Sequence, residues 1–154
     1  MKATLKPLDG VKVLDLTRYL AGPYCTLVLG GLGAEVIKIE PPKTGDLYRD
    51  RAPYAGPEGI SAERQTPEDL GLGLIHRSRN KKGITLNLRD PEGIKIFHTM
   101  CKNVDVVVEN YSPGVMEKMG CDYETLKAIN PKLILCSISG FGQEGPLRDW
   151  RAYD

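Results

Sequence analysis

A chain of 154 residues is long enough for one compact domain and too short for two of ordinary size. Hydrophobic residues make up 41% and charged residues 27%, which excludes disordered, collagen-like and coiled-coil classes. The 21 basic and 20 acidic side chains leave a net charge of +1, so no global field attracts nucleic acid or an anionic membrane. We therefore expect no nucleic-acid partner and no membrane partner.

The four cysteines include no Cys-x-x-Cys pair, and only two histidines accompany them. We expect neither a metal site nor a disulfide framework, and free cysteines are typical of a reducing compartment. No window approaches the apolar length of a membrane span, and the first ten residues lack a signal-peptide pattern. These features predict a soluble, cytoplasmic protein.

Short apolar runs alternate with helical patterns along the chain. The runs with the length and composition of strands cover residues 11–16, 35–40, 83–88, 104–109 and 133–138. Helical spacing or helix-start signals mark residues 18–33, 123–129 and the segments opened by Asp90-Pro91-Glu92 and by Ser112-Pro113. Residues 41–82 lack a period and are predicted as a long surface excursion with short helical turns. The alternation predicts an α/β fold with a doubly wound, mostly parallel sheet.

Two of these helices have apolar residues at helical spacing. In the first, the apolar face comprises Tyr24, Leu27, Val28 and Leu32, and Gly30, Gly31 and Gly33 are expected to end the helix. In the helix opened by Asp90, the predicted buried stripe comprises Ile94, Phe97, Met100 and Cys101.

In a parallel doubly wound sheet, ligands bind beyond the carboxyl ends of the strands, which here means residues 17–22, 110–114 and 139–142. Asn110-Tyr111-Ser112-Pro113-Gly114 is the most informative of these turns, because it opens a helix whose free N–H groups would face a ligand. This turn predicts either an anion-binding or amide-binding site or simple capping of the helix by Ser112.

The sequence lacks the common single-motif signatures of enzymes. It contains no G-x-G-x-x-G fingerprint, no P-loop and no G-x-S-x-G elbow. His98 lies between core positions of a helix, which favours a structural or surface role. His76 begins a basic cluster that runs to Lys82, which is either a solvated loop or a site for a phosphorylated ligand.

Six collinear segments carry the most specific pattern: 7–17, Leu20-Ala21-Gly22-Pro23, 32–40 with Gly45-Asp46, Asn80-Lys81-Lys82, 105–111 with Pro113-Gly114, and 137–143 with Gly145-Pro146. Together they resemble the class III CoA-transferase family, which includes formyl-CoA transferase, the carnitine CoA-transferases and the α-methylacyl-CoA racemases. The match spans nearly the whole chain in order. So many segments in one order are more specific than any single motif.

The resemblance implies a Rossmann-like large domain, of which residues 1–154 would be the N-terminal part, in a longer polypeptide that forms an interlocked homodimer. It implies coenzyme A or an acyl-CoA as substrate and a carboxylic acid as acceptor. By position, the CoA contacts of the family fall on Leu20, Ala21, Pro41, Leu86, Asn87, Leu88, Arg89, Asn110, Tyr111, Ser112, Lys118, Arg151, Ala152, Tyr153 and Asp154. Lys118 and Arg151 suit phosphate contacts, and Leu86 to Arg89 would lie near the adenosine part.

The chemistry of the family implies a nucleophilic aspartate that attacks the acyl-CoA thioester. That aspartate is expected beyond Asp154, so residues 1–154 alone should not catalyse the reaction. Asp154 itself matches an acidic position that contacts the ligand. Tyr153 stands where the racemases have a catalytic histidine, which favours acyl transfer. Leu20 replaces a glutamine of formyl-CoA transferases and favours an acceptor other than oxalate or formate, while Pro41 replaces an arginine that contacts CoA.

The leading hypothesis is the N-terminal part of a CoA-transferase that moves CoA between an acyl-CoA and a carboxylic acid through an aspartyl anhydride and thioester. Two alternatives stay open: an acyl-CoA racemase or epimerase of the same family, and a non-catalytic nucleotide-binding or assembly module. The run that begins at Arg148 stops in mid-motif, so we expect a truncated domain that exposes apolar surface and associates.

Overall fold

The computed structural model describes residues 6–152. Its strands are β1 (Lys12–Asp15), β2 (Glu35–Glu40), β3 (Tyr54–Gly56), β4 (Gly59–Ser61), β5 (Leu70–Gly71), β6 (Lys81–Thr85), β7 (Val106–Glu109) and β8 (Ile134–Ser137). Its α-helices are α1 (Ala21–Gly31), α2 (Leu72–Arg77), α3 (Pro91–Cys101), α4 (Val115–Lys118) and α5 (Tyr123–Ile129). A 3-10 helix covers Leu47–Asp50.

The main sheet has five strands in the order β6-β2-β1-β7-β8, and every neighbouring pair is parallel. From β1 the chain first adds strands on one side, β2 and then β6, and afterwards returns to add β7 and β8 on the other. The order therefore reverses between β1 and β7, which is the topological switch point of a doubly wound sheet. The predicted α/β fold with a mostly parallel sheet is confirmed.

Successive side chains of β1 point to opposite faces of the sheet and feed two separate cores. On one face, Leu14 and Leu16 pack with Phe97 and Cys101 of α3 and with Leu126 of α5. On the other, Val13 packs with Val36, Val108 and the end of α1. Helices thus cover both faces of the sheet, as the alternation of elements predicted.

Helix α1 packs on the sheet through its small residues rather than through its apolar face. Its buried residues are Gly22, Pro23, Thr26 and Gly30. Tyr24, Val28 and Leu32 are 52, 46 and 42% exposed, so the apolar face that indicated the helix points away from the sheet. The helix ends at Gly31, and Gly33 follows in a left-handed conformation with φ of 113°, as the glycines predicted.

The excursion between β2 and β6 is more ordered than the sequence predicted. It contains the three-stranded antiparallel sheet β4-β3-β5, the 3-10 helix and α2. The strands have two or three residues each, too short to show the alternation by which strands are recognised. The predicted short helical turns are present as the 3-10 helix and α2, whereas the three strands were not predicted.

Two predicted helix starts have different outcomes. The Asp90 side chain accepts a hydrogen bond from the Glu92 N–H at 2.9 Å, which confirms it as the N-cap of α3. The prediction that the Ser112 side chain caps the next helix is wrong, because α4 begins after Gly114. Gly114 has a φ of 83°, which only a glycine adopts without strain. Helix α4 has only four residues, so few aligned N–H groups face the turn at Asn110 to Gly114, and the predicted anion-binding or amide-binding site there stays a prediction.

Candidate functional site

The loops that follow β1 and β7 are joined by one side chain at the switch point. The Asn110 amide accepts from the Arg18 N–H and donates to the Arg18 carbonyl oxygen, both at 2.8 Å. The Arg18 guanidinium in turn lies 5.7 Å from the centre of the Tyr111 ring. This is the edge of the sheet at which open α/β proteins bind ligands. The loops predicted at 17–22 and 110–114 therefore meet, as the topology required.

The buried Asp15 carboxylate holds the loop after β1 in place. The Asp15 carboxylate accepts from the Thr17 N–H at 2.9 Å and from the hydroxyls of Thr17 and Thr26 at 2.5 and 2.6 Å. Its cationic partner is Lys81, whose Nζ lies 2.9 Å from Asp15 Oδ2, with side chains 1 and 0% exposed. Lys81 also donates to the Pro23 carbonyl oxygen at the start of α1. The pair thereby ties β1, α1 and β6 together.

A second buried pair lies at the end of β2. Lys38 Nζ is 2.8 Å from the Thr17 carbonyl oxygen and 3.0 Å from Asp46 Oδ2. The Asp46 N–H donates to Glu40, and Glu40 accepts two hydrogen bonds from Arg49 at 2.7 and 2.9 Å. The loop after β1 is therefore connected through Lys38 to the segment that follows β2.

These networks shift the pKa values of their acidic groups downward. Burial raises the pKa of Asp15, but Lys38, Lys81 and the two threonine hydroxyls outweigh it, so the pKa lies below its ordinary 3.8. Burial likewise raises the pKa of Glu40, and the Arg49 and Asp46 donors bring it below 4.5. Desolvation lowers the pKa of Lys81, and Asp15 opposes that shift only in part. Both carboxyls are ionised near neutral pH.

The predicted CoA contacts nearest the switch point differ in exposure. Leu20 and Ala21 are exposed where the loop after β1 enters α1, and Tyr19 before them has a φ of 66°. Asn110 and Tyr111 are half-buried, and Ser112 is exposed. Pro41 directly follows β2 at the same edge of the sheet.

The contacts predicted at Leu86 to Arg89 follow β6, two strands away from β1. Leu86 and Leu88 pack against the core, whereas Asn87 and Arg89 are exposed and joined by a 3.1 Å hydrogen bond. With strands about 4.8 Å apart, this segment lies roughly 10 Å from the end of β1. The structure therefore separates these residues from the Asn110 loop, although both lie at one edge of the sheet.

The remaining predicted contacts lie toward the end of the chain. Lys118 is exposed at the last position of α4, and Arg151 and Ala152 are exposed. A side chain at Gly140 would collide with Ala152, which shows that the terminal segment returns to the turn after β8. Tyr153 and Asp154 lie outside the described residues.

A small cavity of about 150 Å³ lies beyond the carboxyl ends of β7 and β8. Glu109, Ser137 and Gln143 line it together with Glu117 and Asp122. Burial raises the pKa of Glu109, and the Ser137 hydroxyl and the Tyr111 N–H, 2.7 Å from its carboxylate, oppose the shift in part. A larger cleft of about 430 Å³ lies at the opposite edge of the sheet, where Lys6, Glu35 and Lys82 give it mixed charge.

The basic cluster from His76 to Lys82 does not form one surface. Arg77 stacks on the Tyr48 ring at 4.1 Å, Lys81 faces Asp15, and Lys82 pairs with Glu35 at 2.5 Å. Its cations thus have different partners, which disfavours a shared site for a phosphorylated ligand. His98 donates to the Gly120 carbonyl oxygen at 2.9 Å, a structural role as predicted.

The cysteines of the chain are all free thiols. Burial raises the pKa of Cys101 to about 12 and that of Cys121 to about 11, so both stay protonated and unreactive. Within residues 6–152, no three His, Cys, Asp or Glu side chains are grouped as a metal site requires. No helix of that same stretch is both long and apolar enough to cross a membrane.

Sequence reasoning missed Asp15, Lys38 and Lys81 as parts of the site. One signal was present, because Asp15 and Lys38 are charged residues within apolar strand runs, where an ionised group requires a buried partner. The identity of the partners was hidden, since Lys81 is 66 residues from Asp15 along the chain.

Comparison with known protein families identifies the chain. The model of CoA-transferase family III matches residues 8–154. The chain belongs to this family. The class resemblance drawn from the six collinear segments is therefore confirmed, and family members use CoA thioesters as substrates.

Curated family III relatives match almost the whole chain. Succinyl-CoA:glutarate CoA-transferase of Homo sapiens is 46% identical over 151 residues, which cover 97% of this chain and 32% of the human protein. Acetyl-CoA:oxalate CoA-transferase of Acetobacter aceti is 46% identical over 148 residues, which cover 96% of this chain and 35% of that protein. The chain thus spans about a third of the length of these relatives.

Solved structures agree with this family assignment. A CAIB/BAIF family protein from Brucella suis superposes with a TM-score of 0.85 at 41% identity, over 98% of this chain and 38% of that one. Rv3272 from M. tuberculosis gives a TM-score of 0.84 at 35% identity, over 97% of this chain and 39% of that one.

Proposed function

We propose that this chain is the N-terminal part of the large domain of a family III CoA-transferase, and that it supplies part of the site for the acyl-CoA. The whole enzyme would move CoA from an acyl-CoA to a carboxylic acid. The observation that carries the proposal is the junction of the two loops at the switch point by Asn110, in a chain whose relatives are CoA-transferases.

The proposed CoA path follows the carboxyl edge of the sheet. Leu20, Ala21 and Asn110 to Ser112 would contact the part of CoA at the switch point, and Leu86 to Arg89 the adenosine part. An extended ligand suits this layout, because the two groups of residues are separated along one edge. Lys118 and Arg151 would pair with phosphates, and Tyr153 and Asp154 complete the proposed set.

The proposed reaction has a covalent intermediate on an aspartate outside residues 1–154. The carboxylate attacks the thioester carbonyl, and the C–S bond breaks to give a mixed anhydride and CoA thiolate. The thiolate then attacks the aspartyl carbonyl, which releases the donor acid and leaves an aspartyl-CoA thioester. Attack by the acceptor carboxylate and return of the thiolate complete the transfer. This part of the chain would hold the CoA in place throughout.

The finer assignments belong to the same proposal. Tyr153, in the place of a racemase histidine, supports acyl transfer over racemisation, and Leu20 supports an acceptor other than oxalate or formate. We assign the enzyme to the cytoplasm because the four cysteines of this part of it are free thiols. We also expect the complete subunit to form a homodimer.

The test compares two asparagine variants of the full-length enzyme. Asn110→Ala removes the junction of the loops, and we expect the KM for acyl-CoA to rise at least about tenfold. Asn130→Ala is the matched control, because the Asn130 amide also makes two hydrogen bonds to the backbone, donating to the carbonyls of Cys101 and Val104, but lies away from the carboxyl edge. Its KM should stay unchanged.

Transfer is followed with a labelled acid acceptor, and exchange of the α-proton is measured in parallel. Appearance of label in a new acyl-CoA supports the proposal. Proton exchange without acyl transfer would replace it with the racemase alternative. Neither reaction, together with no CoA binding, would favour a non-catalytic module.

A further inference from the structure

The loop after β1 is held by side chains at the point where the sheet ends. The last backbone hydrogen bond between β1 and β7 runs from the Leu16 N–H to the Val108 carbonyl oxygen at 2.9 Å. From Thr17 onward, side chains replace the neighbouring strand as hydrogen-bond partners. Asp15 binds the Thr17 N–H, and Asn110 binds both backbone groups of Arg18.

The Thr17 carbonyl oxygen completes this arrangement through Lys38. The Lys38 ammonium donates to it at 2.8 Å from the adjacent strand β2. Four consecutive backbone polar groups of Thr17 and Arg18 are therefore bound by three side chains from three places in the chain. Tyr19 directly follows with its φ of 66°, a conformation that persists only where surrounding contacts hold it.

Lys38 itself has little freedom to move. Its side chain is 3% exposed and is paired at 3.0 Å with Asp46, which is 2% exposed. Asp46 is held in turn, because its N–H donates to Glu40 at 2.8 Å. The ammonium group is thus fixed before any ligand arrives.

We infer that Lys38 is a positioning residue for the acyl-CoA: by binding the Thr17 carbonyl oxygen it fixes the loop that presents Leu20 and Ala21 to the ligand. This inference rests on the proposed function. Lys38 is buried beneath the loop, so it acts through the backbone and does not touch the ligand. A loop held in advance binds without an ordering cost, so loss of Lys38 weakens binding of acyl-CoA.

The test uses two variants of the full-length enzyme that differ only at Lys38. Asp46→Asn breaks the ion pair but keeps the hydrogen bond from Lys38 to Thr17. The double variant Lys38→Met with Asp46→Asn removes the ion pair and the hydrogen bond to Thr17. It leaves no unpaired buried charge at these two positions. If Lys38 does not position the loop, the two variants have the same KM for acyl-CoA and the same exchange at residues 17–22, whereas positioning separates them in both measurements.

We expect the double variant to raise the KM for acyl-CoA about tenfold over Asp46→Asn, with the KM for the acid acceptor unchanged. Hydrogen exchange of a peptide covering residues 17–22 should be faster in the double variant alone. Equal exchange in the two variants, or an equal KM for acyl-CoA, would overturn the inference.

A measurement on the unmodified enzyme keeps the inference testable if the double variant does not fold. The amides of Thr17 and Arg18 should exchange slowly without CoA, since their partners are in place beforehand. Fast exchange that slows only when CoA is added would overturn positioning by Lys38. Slow exchange in an enzyme that binds no CoA would contradict the proposed function instead. The role of Lys38 in CoA binding would then be lost with it.

Discussion

Buried ion pairs tie together segments that are distant in sequence. Asp15 and Lys81 are the most completely buried pair among the described residues, and each also binds Thr26 of α1. Removing one partner of such a pair leaves an ionised group without compensation in a medium of low dielectric constant. Removing one partner therefore lowers the free energy of unfolding by more than the intact pair contributes to it.

Lys81→Met should lower the free energy of unfolding by about 3 to 5 kcal/mol, because the Asp15 carboxylate loses its nearest cation. Urea unfolding followed by circular dichroism measures the change. Lys82→Met is the matched control, since the neighbouring lysine pairs with Glu35 on the surface and its loss should have little effect. Equal destabilisation by both variants would contradict this account.

The carboxyl group of Glu109 should make stability depend on pH in the opposite sense to Asp15. Burial raises the pKa of Glu109 above its ordinary 4.5, so the folded state favours the protonated form, and this contribution is lost as pH rises through the native pKa. The pKa of Asp15 is lowered, so its contribution is present above pH 3.8 and is lost as pH falls through the native pKa.

Glu109→Gln removes the ionisable group and keeps the shape of the side chain. The variant should gain stability relative to the wild type as pH rises above 4.5, while both proteins lose stability below pH 3.8. Urea unfolding at a series of pH values measures the difference. A difference that does not change with pH would show that Glu109 titrates alike in the folded and unfolded chain.

At the scale of elements, α1 shows what periodicity determines and what it leaves open. The spacing of Tyr24, Val28 and Leu32 predicted a helix, and the helix is present. Gly22, Thr26 and Gly30 recur with the same period on the other face, and they are the residues that pack. Period alone does not tell which face is buried. By contrast, β2 spans Glu35–Glu40 as predicted, since strong β-branched alternation and a following proline define both ends.

Close packing of α1 makes a specific prediction for its glycines. A methyl group at Gly22 would collide with the Thr17 side chain, so Gly22→Ala should lower the free energy of unfolding by about 1 to 3 kcal/mol. Gly31 in the same helix has open space around it, and Gly31→Ala should be neutral or stabilise by about 0.5 to 1 kcal/mol. Thermal and urea unfolding of the two variants give the comparison. Similar destabilisation by both would mean that helix propensity and not packing decides.

At the scale of the whole molecule, the topology predicts where the site lies in the sheet. It does not predict which side chains pair there. Parallel strands end at one edge, so the meeting of the loops at Thr17 and Asn110 could be predicted from element order alone. The pairing of Lys38 with Asp46 could not, because it depends on how residues 41–82 fold back over β2. That segment lacks the regular pattern on which sequence interpretation relies.

The outward apolar face of α1 should make the isolated 154-residue chain associate. Its exposed residues include Leu20, Tyr24, Val28 and Leu32, each more than 40% accessible. Val28→Lys places a charge in the middle of this face and should shift the chain toward the monomer in sedimentation velocity. Thr99→Lys adds the same charge on an exposed face of α3 and should leave association unchanged. An equal shift for both would indicate a general charge effect.

The 66-residue separation of Asp15 and Lys81 has a consequence for synthesis on the ribosome. β1, α1 and β2 emerge first, with Asp15 and Thr26 both present, but the lysine that closes the network is added roughly 3 to 13 s later at ordinary elongation rates. Until then the carboxylate has the charge of Lys38 nearby but lacks its ion-pair partner, so the first three elements close less tightly on their own. Docking of β6 therefore completes the packing of β1, α1 and β2. A pause in translation before Lys81 would prolong the exposure of these three elements to chaperones and proteases.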